Sequence, residues 1–295
     1  MASETTTASD LIIPEVWGAA VGLAVPGRTV MAPFATVDTT LQGQPGDRIN
    51  VSKFAYIGDA EDLAEDDVIE TRKLTMTSTS FGIKEAGTGI SLTDRAILNA
   101  MGNPQDQAVA QLALSVGRKL DTDLRAVAAA DVAADAENGV LPSSPLRHTV
   151  DGALDYESVV DATSLLGDEW DPAAMQGMVI HSQQYRALRK DPDFISADKV
   201  GANNQAIVTG RVGQVSGIDV VVSDRVTRTG AGTPEDPYRY QALLIRRGAL
   251  TLAYKRRAIV EKARDIEARK TIITTNVHYG VVRNDDNGVI VLTTR

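Results

Sequence analysis

Cysteine is absent from all 295 residues. Disulfides, thiolate metal sites and cysteine nucleophiles are therefore excluded. Positive charge is in deficit as well: 39 acidic against 30 basic residues leave a formal net charge of −9. A protein whose main task is to grip nucleic-acid phosphates needs the opposite balance. The apolar run from Val16 to Gly27 holds only twelve residues before Arg28, and Pro26 lies inside it. It is too short to span a bilayer, so no membrane segment is expected. The opening MASETTTASD has no basic n-region of a secretory signal.

Several chemical signatures are also missing. Gly213 and Gly217 bracket a turn, but neither a GxxxxGK[ST] phosphate loop nor a GxGxxG between strand and helix stands there. Ser143, Ser144 and His148 are close in sequence, yet no glycine-flanked nucleophile turn surrounds either serine. His181 has no second His or Cys near it and reads as a structural residue at a strand end. These gaps argue against an enzyme, and no catalytic, cofactor-binding or metal-binding residue is assigned.

What is present is a chain of ordinary globular composition, 43% hydrophobic and 23% charged. Its length allows two moderate domains or one large one. The segment NPQDQAVAQLALSVGRKLDTDLRAVAAAD, residues 103–131, predicts the longest regular element. Asn103 caps it, Pro104 suits the first helical position and Asp106 places a carboxylate in the first turn. Val109, Leu112, Val116, Leu120, Leu124 and Val127 recur at steps of three and four, one face of a helix. Gln111, Arg118, Asp121 and Arg125 are expected on the opposite, solvent face. At 1.5 Å per residue the rod is about 40 Å long, a beam for other elements to lean on.

The flanks divide as follows. Residues 1–45 read as an arm, with a polar start and then LIIPEVWGAAVGLA, in which Trp17 is an anchor. An apolar arm lacking a partner cannot offset about 1–2 kcal/mol per residue of backbone ordering, so it must lie against its own core or a neighbouring subunit. Residues 46–90 predict a long β-hairpin, PGDRINVSKFAYIG and VIETRKLTMTSTSFGI. Seven of the twelve residues in its tip, DAEDLAEDDVIE, are acidic. That tip reads as a solvated loop, as an ion-pair element facing a basic partner, or as a calcium site. The spacing and turn glycine of a calcium loop are missing.

SLTDRAILNAMG, residues 91–102, predicts a short helix capped by Ser91. Residues 132–154 read as loop. Residues 155–250 read as an α/β unit containing the strand Met178–His181, a helix capped by Ser182 and the strand IDVVV. AIVEKARDIEARK is ambiguous between helix and strand, whereas TIITTNVHYGVVR and VIVLTT are strand-like. β-structure thus flanks the long helix from both ends of the chain, with the α/β unit inserted between.

That order resembles the Hong Kong 97-type fold of tailed-phage major capsid proteins. The likeness rests on the arm and hairpin, on GMVIHSQQYRALRKD with GQVSGIDVVVSD and YQALLIRRGALTLAY, and on VEKARDIEARKTIITTNVHYGVVRNDDNGVIVL. The resemblance implies an α+β capsid fold. Its parts would be an N-terminal arm (1–45), an extended loop (46–90), a peripheral domain (91–154) with its spine helix (103–131), an inserted axial domain (155–250) and closing peripheral strands (251–295). It implies self-assembly through pentamers and hexamers into an icosahedral shell around double-stranded DNA, inside the host cytoplasm, ending in the virion. DNA contact would be weak and non-specific.

The implied partners are a portal protein, a scaffolding protein encoded separately and, on some shells, a decoration protein. Some members crosslink a lysine to an asparagine; Lys53, Lys73 and Lys84 lie in or near the loop, and crosslinking is not expected. The inter-subunit contact expected from charge joins Asp62, Glu65, Asp66 and Asp67 to Arg246, Arg247, Lys255, Arg256 and Arg257. The rival readings are an encapsulin-like compartment with enzyme cargo, a soluble hydrolase using His148 or His181, and a tail-tube protein, which the long helix opposes.

Overall fold

The computed structural model describes residues 29–54, 57–58, 60, 69, 71–74, 76–99, 103–133, 143–191, 213–233 and 235–295. In chain order the described strands and helices are β1 (Ala35–Asp38), β2 (Arg48–Phe54), β3 (Met76–Gly82), β4 (Lys84–Thr93), α1 (Asp94–Asn99), α2 (Pro104–Ala129), β5 (Leu146–Thr149) and α3 (Tyr156–Ser164). There follow β6 (Met175–Ile180), α4 (Ser182–Leu188), β7 (Gln214–Val215), β8 (Ile218–Val222), β9 (Arg228–Thr229), β10 (Arg239–Arg246), β11 (Leu250–Asp265), β12 (Lys270–Arg283) and β13 (Val289–Thr294).

Helix α2 forms where the periodicity places it. Asn103 accepts from the Gln105 N–H at 3.0 Å and donates to Asp106 at 2.9 Å, closing the first turn. Leu112, Val116, Leu120 and Leu124 are buried along one stripe. At the other end no glycine stops the helix. Instead the Arg283 guanidinium donates to the carbonyls of Val127 (3.1 Å), Ala128 (2.9 Å) and Ala130 (2.8 Å). These are carbonyls a helix end leaves without internal donors.

The buried stripe of α2 packs on a four-stranded sheet of order β1-β11-β12-β4, with β1 parallel to β11 and the other pairs antiparallel. β12 alternates buried and half-buried residues along nearly its whole length, the mark of a strand with one face on a core. That regular ladder resolves the ambiguous 258–270 segment. β11 continues as strand to Asp265, with Ala263 opposite Ile272. Pairing with the β-branched run of β12 outweighs the local helical tendency of EKARDIEARK.

The second sheet has seven strands, in the order β5-β13-β10-β6-β8-β7 with β9 on β10. Its central strands are buried on both sides. Ala242, Leu244, Ile290, Leu292, Met178 and Ile180 face α3 and α4, whose Val159, Ala162 and Leu188 complete one core. Leu243, Ile245, Val289, Val291 and Val179 face the other way and join the core under α2. A strand covered on both faces reads as a continuous apolar run, which is what ALLI and VIVL are.

Three local expectations are corrected. Residues 84–90 belong to β4, which pairs with β12 rather than with the hairpin, so the ribbon is β2–β3 alone. Because β4 stays extended through Thr93, Ser91 cannot cap α1; the Thr93 hydroxyl accepts from the Ala96 N–H instead (3.2 Å). The cap of α4 is His181, whose Nδ1 accepts from the Gln183 N–H at 3.1 Å, not Ser182. In the closing segment β11 and β12 lie in the four-stranded sheet and β13 in the seven-stranded one, where it pairs with β5.

The end of the arm is tied across both sheets. Phe34 lies over Gly177 of β6, where any Cβ would run into its ring, and Gln176 donates to the Pro33 carbonyl at 2.7 Å. Gly177→Val is expected to destabilise the fold by about 1–3 kcal/mol through overpacking, read as a lowered urea midpoint with an unchanged m-value.

Candidate assembly surfaces

Two carboxylates of α2 hold neighbouring segments in place, one the residues just before β1 and the other the base of the β2–β3 ribbon. Asp121, expected on the solvent face, is only 3% exposed. Its carboxylate accepts from the backbone N–H groups of Val30 (2.9 and 3.0 Å) and Met31 (2.9 Å). Arg225 stands 3.6 Å away, and Arg125 lies beside it. Burial pulls the Arg125 guanidinium below its ordinary value, with Asp121 opposing and Arg225 adding to the effect. Asp121 therefore fixes the backbone at Val30 and Met31 against α2. Its neighbours Leu120 and Leu124 put it at the edge of the apolar stripe, the one hint the sequence carried.

Asp123 performs the corresponding task for the ribbon's base. It accepts from the Tyr279 hydroxyl, from Lys84 at 2.7 Å and from Lys119 at 3.0 Å. Lys84 is the first residue of β4 and lies 5.4 Å from the Tyr279 ring centroid. Burial works to raise the Asp123 carboxyl, but the bonds from Lys84, Tyr279 and Lys119 outweigh it and hold the group below its ordinary value. Burial, then the bond to Asp123, pushes the Tyr279 hydroxyl far up. A depressed carboxyl contributes stability above its unfolded value, near 3.8, and that contribution fades as pH falls through the lower folded value. Asp123→Asn is thus expected to flatten the acid limb of stability against pH, measured as urea midpoints from about pH 6 down to about pH 3.

At the root of the ribbon, Ile83 N–H donates to the Asp47 carbonyl (2.7 Å). Phe81 of β3 rests on Gly280 of β12, where a Cβ would sit 2.9 Å from its ring. The Lys255 ammonium donates to the Gly46 carbonyl. Arg256 meets His278 at 2.9 Å, and His278 lies 3.5 Å from Glu85, which also accepts from Asn276. Lys255, Arg256 and His278 line an open groove of about 430 Å³ with Gln42, Gly43 and Gln44.

The five basic residues expected to form one surface fall into two places. Lys255, Arg256 and Arg257 are on β11 beside the ribbon, with Arg257 6.0 Å from the Tyr254 ring. Arg246 ends β10 in the other sheet, and Arg247 follows in the turn, its N–H donating to the Ala174 carbonyl at 2.9 Å. Trp17, Asp62, Glu65, Asp66 and Asp67 lie outside the described residues. Ser143, weighed as a nucleophile, donates to Asp286 and accepts from Arg283 (2.7 Å), anchoring the end of α2. Among the described residues, no group of three His, Asp or Glu side chains could hold a metal ion, and no helix is long and apolar enough to cross a membrane.

Comparison with known proteins now gives the class. A family model described as phage capsid protein matches residues 77–292. The major capsid protein of Staphylococcus phage phiMR11 is 29% identical over 289 residues, covering 98% of this chain and 95% of that one. Among solved structures, the capsid of cyanophage Pam1 aligns with a TM-score of 0.71 at 13% identity over 100% of this chain and 99% of that chain. The capsid of Ralstonia phage GP4 aligns at 0.66 and 14% identity, over 90% and 88%. At such identities the structural likeness speaks for the fold, and the family match speaks for the class: structural subunits of a shell. The chain belongs to the phage capsid protein family, as a major capsid protein of the tailed-phage type and a component of the virion capsid.

Proposed function

We propose that copies of this chain assemble through pentamers and hexamers into an icosahedral shell enclosing double-stranded DNA. The observation that carries this reading is the β2–β3 ribbon. Its two described strands form a sheet of their own. A two-stranded ribbon is marginal by itself in water, and a sibling subunit's surface is the cover at hand. Obligate interfaces bury roughly 2,000–5,000 Å². At about 25 cal/mol per Å² of apolar area, burial on that scale contributes on the order of tens of kcal/mol towards ordering arm and loop.

In this reading α2 is the spine helix, and the ribbon is the extended loop. The four-stranded sheet with α2 is the peripheral domain. Residues 155–250, joined by β5 and β13, form the axial domain around which subunits meet. The arm, with Trp17 as its anchor, reaches a neighbour. Asp62, Glu65, Asp66 and Asp67 of the loop tip meet Lys255, Arg256 and Arg257 of the next subunit, with Arg246 and Arg247 as a separate basic patch. A portal protein, a separate scaffolding protein and a decoration protein are the further partners this reading expects. Analysis of particles recovered from infected cells tests it. DNase-protected double-stranded DNA inside them is expected, whereas an enzyme cargo without DNA would select a compartment shell.

A further inference from the structure

We infer that His181 is a pH-operated clasp on α4: the neutral imidazole holds the first turn of the helix, and protonation of the ring releases it. The clasp belongs to the subunit's own fold and stands apart from the shell reading.

The geometry needs one particular form of the ring. Nδ1 accepts from the Gln183 N–H at 3.1 Å, and the Ser182 hydroxyl lies 3.5 Å from the same nitrogen. An accepting Nδ1 leaves the single proton of a neutral imidazole on Nε2. Nε2 faces Asp224, just past β8, at 3.8 Å. The cap is reciprocal: the His181 N–H donates to the Gln184 side chain at 2.9 Å. Gln184, 1% exposed, then donates to the Tyr240 carbonyl (3.2 Å) and the Thr294 hydroxyl (2.8 Å). One turn of helix is thereby tied to both β10 and β13.

A second proton on the ring makes Nδ1 a donor, and two donors then face each other at Gln183. The cap is lost, and the cation is drawn towards Asp224 instead. Asp224 already accepts from the Ser182 hydroxyl and N–H, which hold its carboxyl below the ordinary value. The surroundings resist that second proton. The imidazole is only 13% exposed, and its ring centroid lies 4.3 Å from that of Tyr240. Among the described residues, the charges acting on it are Asp224, which favours protonation, and Arg228, which opposes it. Burial outweighs Asp224, so the group sits below its ordinary value of 6.5. The unfolded chain therefore takes up this proton first. The contribution to stability is complete above about pH 6.5, falls as pH drops through that value, and is gone below the folded one.

Hydrogen exchange of the full-length protein tests the clasp. From pH 7.5 to pH 5.5, the Gln183 amide is expected to open roughly fivefold more often, after correction for intrinsic exchange, the size of a lost cap. His181→Asn keeps a neutral acceptor and cannot titrate, so its Gln183 amide should show no such change. No acceleration in the unaltered protein, or the same acceleration in the variant, would overturn the inference. If the variant misfolds, nitrogen NMR of the unaltered ring decides. A neutral ring protonated at Nε2, titrating below 6.5, is expected. A proton on Nδ1 at pH 7.5, or a midpoint at or above 6.5, would overturn it.

Discussion

Replacing Asp66 and Asp67 with lysine is expected to leave a folded subunit that no longer closes into particles. The tip carries seven acidic residues in twelve, and the double change moves its charge by +4. Each exposed ion pair is worth only about 0–1 kcal/mol, so strength alone would not make the effect absolute. Register does. Complementary charge selects the docking geometry, and like charges brought together oppose it by several kcal/mol. Every subunit of a shell repeats the same contact, so one unfavourable register is multiplied across the whole particle. The reciprocal variant Lys255→Glu with Arg256→Glu is expected to fail in the same way, and combining the two sets should restore assembly. Unchanged circular dichroism together with loss of particles is the expected reading. Normal particles from the Asp66 and Asp67 variant would reject the contact.

The second large effect is on the fold. Arg283→Ala is expected to cost about 3–5 kcal/mol, since it removes a buried charge from groups that stay behind. Arg283 is 5% exposed, and its guanidinium serves the carbonyls at the end of α2, Asp286 at 2.9 Å and Ser143 at 2.7 Å. Without it those carbonyls keep no donor, and Asp286 loses its cation. Arg283→Lys should recover only part of the loss, because one ammonium cannot reproduce the planar fork. Urea unfolding followed by circular dichroism measures both. A shift of under about 1 kcal/mol for the alanine variant would mean water replaces the guanidinium at no great cost.

Much of this architecture could be read from local pattern. The stripe of α2, the alternation of β12 and the apolar runs of β10 and β13 are properties of consecutive residues. What escaped reading depends on partners remote in sequence. Asp121 looked like a solvent-face residue because its donors are ninety residues upstream. The helical appearance of EKARDIEARK yielded to a ladder with β12. β13 follows β12 closely, yet it crosses to the other sheet, where it pairs with β10 and β5 and its two faces enter the two cores. The basic residues from Arg246 to Arg257 looked like one patch. The turn at Gly248, with φ of +82°, sends Arg246 and Lys255 to different sheets. The ribbon was legible in outline, but its length was not, because only pairing with β12 assigns Lys84 onward to the body.

Electron microscopy of the full-length purified protein tests the central claim most directly. Closed icosahedral cages of uniform size are expected, built by ribbons and arms covered by sibling subunits. A stable population of single subunits that forms no cages at any concentration would contradict it.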